Sequence, residues 1–115
     1  DMMNKTLGFA LTLAGLSLAS SAAAVNLGDP EAGQQIAENQ CMACHAVDGS
    51  QSNPQWPSIA GQHADYLLQA LKQYKEGDRQ NAIMQGQVSS LSLQDMRDVA
   101  AYYAEQDGKL HTPER

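Results

Sequence analysis

Two cysteines and a histidine within five consecutive positions, Cys41-Met42-Ala43-Cys44-His45, concentrate the reactive chemistry of this 115-residue chain, which has no other cysteine. C-x-x-C-H is the attachment signature for c-type heme. Each part has a physical task. The two thiols add to the two vinyl groups of a porphyrin, and the two intervening residues make a turn that spans the distance between them. His45 then lies under the iron, where an imidazole nitrogen becomes the proximal ligand. Three plainer readings compete. A thioredoxin-like pair follows a strand in a βαβ pattern, and no strand-like alternation surrounds Cys41. A tetrahedral zinc site takes four ligands, and beyond the motif only His63 and His111 are on offer. A structural disulfide would leave the histidine incidental. Export together with the full pentad favours heme.

An electron-transfer heme with six-coordinate iron takes a second ligand, methionine or histidine, on the face away from His45. Met42 lies inside the motif and cannot reach that face. Met96 falls on the apolar stripe of a helix, where core packing explains it. Met84 sits in a stretch between two helices, far enough along the chain to wrap round the ring, and is the leading candidate. His63 at a helix start and His111 in the C-terminal tail are weaker ones. Trp56, the single tryptophan, stands in a loop whose natural packing partner is the porphyrin.

The elements that position these residues read as all helical. Asp29 can cap, Pro30 suits the first helical position and Glu31 complements the helix dipole, so a first helix is predicted over 30–39, ending at the heme motif. Gly33 inside it costs about 1 kcal/mol relative to alanine, which implies that another element approaches there. Residues 47–62 read as loop from Asp48-Gly49-Ser50, Asn53-Pro54 and Trp56-Pro57. Tyr66, Leu67, Ala70, Leu71 and Tyr74 predict an amphipathic helix over 63–76, terminated by Gly77. A last helix opens at Ser92 with Asp95 three residues on, carries a buried stripe of Leu93, Met96, Val99, Ala100 and Tyr103, and ends by Gly108.

Lys5, the apolar stretch from Leu7 to Leu18 and the Ala22-Ala23-Ala24 end predict a cleaved secretory leader over 1–24 and a periplasmic mature domain over 25–115. The apolar stretch is shorter than the roughly 20 residues that span a bilayer. Removing 24 of 115 residues leaves 91, a size at which a cofactor commonly supplies part of the stability. Of 13 acidic and 7 basic residues only Asp1 and Lys5 fall in the leader, so the domain keeps the chain's formal charge of −6. Without a basic stripe to neutralise phosphates, nucleic acid is excluded as a partner.

The order of Asp29-Pro30-Glu31-Ala32-Gly33, Cys41-Met42-Ala43-Cys44-His45, Trp56-Pro57-Ser58-Ile59-Ala60-Gly61-Gln62, Tyr66-Leu67, Met84, Leu91-Ser92 and Ala100-Ala101-Tyr102-Tyr103-Ala104 resembles a class I c-type cytochrome. It is most similar to small bacterial monoheme cytochromes c and to single domains of the diheme c-four group, over essentially the whole mature chain. The resemblance implies three to five helices wrapped around one covalent heme c. It implies His45 as proximal and Met84 as distal ligand, since the family's methionine stands seven residues before the leucine of the Leu-Ser helix start, here Leu91. It also implies that Gly33 faces Tyr102 or Tyr103 where the first and last helices cross, and that a carbonyl near residues 52–54 accepts from the ring of His45.

The expected function is electron shuttling by a monomer that is not an enzyme and has no small-molecule substrate. Its partners would be redox proteins such as membrane respiratory complexes or a terminal oxidase or reductase. The alternative is a five-coordinate heme protein that binds small ligands or turns over peroxide, which requires Met84 to be off the iron.

Overall fold

Asp29 starts the first helix in the manner its sequence predicts. In the computed structural model, which describes residues 27–47 and 53–108, helix α1 spans Pro30–Gln40. The Oδ1 of Asp29 accepts the backbone N–H groups of Glu31 at 2.9 Å and Ala32 at 3.4 Å. Pro30 fills the first position, where no N–H is needed. The predicted leader over 1–24 lies outside the described residues.

Helix α2, Ala64–Glu76, ends at Gly77 in the left-handed conformation (φ 87°), which reverses the chain without a Cβ penalty. Helix α3, Ala82–Val88, follows after a short turn. This places Met84 on a helix rather than in the irregular stretch that the sequence suggests. Seven residues are two turns, too short for a hydrophobic period to register, and the element owes its start to Asn81, whose Oδ1 accepts the N–H of Met84 at 3.0 Å. Helix α4, Leu93–Ala104, opens with a reciprocal cap. The Ser92 hydroxyl accepts from the N–H of Asp95 at 3.0 Å, and the Asp95 carboxylate accepts from the N–H of Ser92 at 2.8 Å. The helix stops at Ala104, capped by Glu105 and short of Gly108.

Packing follows the buried stripes. Helix α1 lies on α4, α2 lies on α4, and α3 leans on α2. Met96, Val99, Ala100 and Tyr103 are buried as the α4 pattern predicts, and Ala37 and Leu67 meet this stripe from α1 and α2. Leu93 departs from the pattern at 44% exposed, because the first turn of α4 projects beyond the core. Asp98 is the buried polar residue of this helix, and its Oδ1 accepts from the Asp29 N–H at 2.8 Å and from the Gln94 side-chain amide at 2.8 Å.

Gly33 is the crossing point of α1 and α4, as its cost implies. A Cβ there would stand 2.0 Å from the carbonyl oxygen of Asp98 and 2.9 Å from the Val99 nitrogen. The closest surface is therefore the α4 backbone at Asp98 and Val99. Among the described residues there is no strand, and no helix is long and apolar enough to cross a membrane.

Candidate functional site

The last turn of α1 runs on into the cysteine motif. The carbonyl of Ala37 accepts from the N–H groups of Cys41 and Met42, both at 2.9 Å, and the carbonyl of Cys41 accepts from Cys44 at 3.1 Å and His45 at 2.8 Å. This winding continues the helical sense past Gln40. Positions 41, 44 and 45 are related by three and four residues, so one face of the turn presents both sulfurs and the imidazole. All three line a single cleft of about 440 Å³, within the roughly 300–1,000 Å³ typical of cofactor sites.

A hydrogen bond fixes the ring of His45, whose Nδ1 lies 2.8 Å from the carbonyl oxygen of Pro57. A carbonyl can only accept, so Nδ1 carries the proton and Nε2 keeps its lone pair for a metal. The acceptor is thus Pro57 and not a carbonyl near residues 52–54. The carbonyl of Asn53 instead accepts from the Trp56 N–H at 3.0 Å, within a turn just ahead of Pro57.

Tyr103 of α4 braces both walls. Its hydroxyl donates to the carbonyl of His45 at 2.9 Å, and its own carbonyl accepts from Gly61 N–H at 2.9 Å. Burial pushes its phenol well above the usual tyrosine value, with smaller contributions from Cys41 and Tyr102. Burial likewise pushes the Cys41 thiol up to about 11, and the neighbouring Cys44 adds to the shift. A thiol so held is protonated at neutral pH, unlike the lowered thiol of a redox-active C-x-x-C pair.

The remaining walls are mixed: Ile59, Leu67, Ala70 and Leu71 line them with the partly buried Trp56, beside polar side chains such as Gln40, Gln62 and Asn81. Met84 lines the cleft from α3. The other ligand candidates stand elsewhere. Met96 is 3% exposed and packs with Val88 and Leu91 in the core, and His63 is the exposed residue before α2. His111 lies outside the described residues. Among the described residues no group of three or more His, Cys, Asp or Glu is arranged to hold a metal ion by itself.

The donor set fits heme c: two thiols for thioether bonds, an imidazole with a free Nε2, and a mostly apolar enclosure for a flat macrocycle. Cys41, Cys44, His45 and Met84, the residues that sequence inspection singled out, all line this cleft. Sequence inspection missed Pro57 as acceptor and Tyr103 as brace, because both act across loops whose path a linear pattern does not encode.

Comparison with known proteins agrees with this geometry. The cytochrome c family model matches residues 30–106. Cytochrome c4 of Thiocapsa roseopersicina is 42% identical over 85 residues, covering 74% of this chain and 44% of that protein. Cytochrome c4 of Pseudomonas aeruginosa is 42% identical over 104 residues, covering 90% of this chain and 49% of that protein. The chain therefore spans about half the length of these curated relatives. Cytochrome c-554(548) of Halomonas halodenitrificans is 39% identical over 83 residues, covering 70% of this chain and 99% of that protein.

Proposed function

The chain belongs to the cytochrome c family as a class I c-type electron-transfer heme protein, and we propose that it is a periplasmic one-electron carrier whose heme c is ligated by His45 and Met84. The heme supplies a one-electron couple at iron. The protein's own residues do the rest. Cys41 and Cys44 hold the ring by thioether bonds, and the Pro57 carbonyl orients the imidazole and raises its basicity. The Met84 thioether, a weaker donor than a second nitrogen, favours the ferrous state and raises the potential. Trp56, Ile59, Leu67 and Leu71 exclude water.

The observation that carries this reading is the convergence of Cys41, Cys44, His45 and Met84 on one mostly apolar cleft from α3 and the turn after α1. With His45 and Met84 both holding the iron, no position would be left for a substrate, as suits a carrier rather than an enzyme. The basic, apolar, then small-residue order of residues 5–24, which reads as an export leader, supports the periplasmic assignment, and brief docking to redox proteins through a small interface follows from the role. A pyridine hemochrome spectrum and the optical spectrum of the ferric protein test it. The expected result is two thioether links and low-spin six-coordinate iron with the weak far-red absorption of an iron–methionine bond. Free or disulfide-joined thiols would overturn the heme assignment, and five-coordinate high-spin iron would overturn Met84.

A further inference from the structure

The carbonyl of Leu91, in the link between α3 and α4, belongs to the hydrogen-bond ladder of neither. The ladder of α4 begins one residue later, at the carbonyl of Ser92, which accepts from the Met96 N–H at 3.0 Å. At the end of α3 the Leu91 N–H donates back to the carbonyl of Val88 at 3.0 Å, and the Ser89 hydroxyl donates to the carbonyl of Gly86 at 2.8 Å. Leu91 itself is 5% exposed, so a carbonyl left out of both helices calls for a donor from elsewhere. Lys75 supplies one. From the last turn of α2 its Nζ reaches across 16 positions of sequence to donate to that carbonyl in a partly buried bond.

This bond closes a frame around Met84. Val88, Leu91 and Met96 form a buried cluster, and Met84 packs against it together with Leu68, Leu71 and Tyr74 of α2. Helix α3 leans on α2, and its near end is exposed at Ile83. A side-chain tie from α2 to the far end therefore fixes the pivot about which the Met84 end moves.

We propose that Lys75 is a positioning residue for the Met84 sulfur, acting through the carbonyl of Leu91. The inference rests on Met84 as the distal ligand of a heme in the cleft. A sulfur on a short helix with a fixed pivot returns to one place after it leaves the iron. Its effective concentration at the metal is high, as a short stiff tether makes it for any second binding group. With the pivot loose, the detached segment gains conformational freedom, and a competing ligand meets less opposition.

The test is titration of the ferric holoprotein with imidazole, which competes with the Met84 sulfur for iron, followed by loss of the weak far-red absorption of the iron–methionine bond. Lys75→Met keeps most of the apolar stem and removes the donor. Its apparent imidazole affinity should rise about three- to fivefold, the net weight of one hydrogen bond that water partly screens. Lys75→Arg keeps a cationic donor on a long stem, and its affinity should stay within about twofold of wild type. A merely structural tie would lower the Tm of Lys75→Met and leave its imidazole affinity alone, because at room temperature nearly every molecule is still folded. An unchanged affinity in Lys75→Met therefore overturns the proposal. So does an affinity in Lys75→Arg that rises as far as in Lys75→Met. Should Lys75→Met not accumulate, Lys75→Ala, which also lacks the donor, is held to the same two outcomes. Wild-type ferric protein without the far-red absorption would instead overturn the Met84 reading on which the proposal stands.

Discussion

The hydroxyl of Tyr103 donates to the backbone carbonyl of His45 across 58 residues of sequence, at 2.9 Å. This bond ties the end of the cysteine motif to the most buried part of α4. Tyr103→Phe keeps the ring and removes the donor, so the expected loss is about 1 kcal/mol of stability, or roughly 4–8 °C in Tm. Denaturant melts of the holoprotein measure it.

The same residue sets a pH dependence. Burial raises the phenol above its ordinary value of 10.0 in the folded state. Below pH 10 both states hold the proton and the contribution is fully present. Above it the unfolded chain releases the proton while the folded one retains it, so stability falls as pH rises. Unfolding free energies at pH 9 and 11 should differ less in Tyr103→Phe than in wild type. An equal difference would show that the phenol is not the group responsible.

Met84→Ala should keep the covalent heme, since both thioethers and His45 remain. The expected changes are a lower potential, loss of the far-red absorption and admission of small ligands such as cyanide to the iron. An unchanged spectrum and potential would assign the distal bond elsewhere.

Gly33→Ala tests the helix crossing. Alanine gains about 1 kcal/mol of helix propensity. Its Cβ would stand 2.0 Å from a backbone carbonyl that cannot rotate away. The clash exceeds the gain, and a net loss of about 1–3 kcal/mol is expected. Calorimetry of the two holoproteins decides the sign.

Asn81→Ala removes the side-chain cap of α3, at a cost of about 1 kcal/mol. Because the bond it breaks goes to the N–H of Met84 itself, the iron–sulfur absorption should disappear at a lower urea concentration than the global fold. Coincident transitions would show that the cap does nothing for the sulfur.

Much of this architecture is legible in the chain because its signals are local. Asp29-Pro30, Gly77 and the Ser92/Asp95 pair mark helix ends through bonds made within four residues, and the C-x-x-C-H spacing carries its own chemistry. What was not legible depends on distant segments meeting. Leu93 fits the stripe by period, yet the described residues leave it 44% exposed at the start of α4. Helix α3 has too few turns to declare itself. The acceptor for His45 is a backbone carbonyl, which has no residue type to recognise, and Arg79 joins the cleft lining only because the turn at Gly77 folds it back toward α2.

Helix α3 is unevenly anchored. Val88 at its far end is 1% exposed, whereas Ile83 beside Met84 is 66% exposed. Heating or denaturant should therefore loosen the cleft from one side first, with the thioether swinging out while the thiol-and-imidazole turn stays wound beneath α4. The molecule has a fuse, and it is placed on the half of the site that can be refitted without refolding the other.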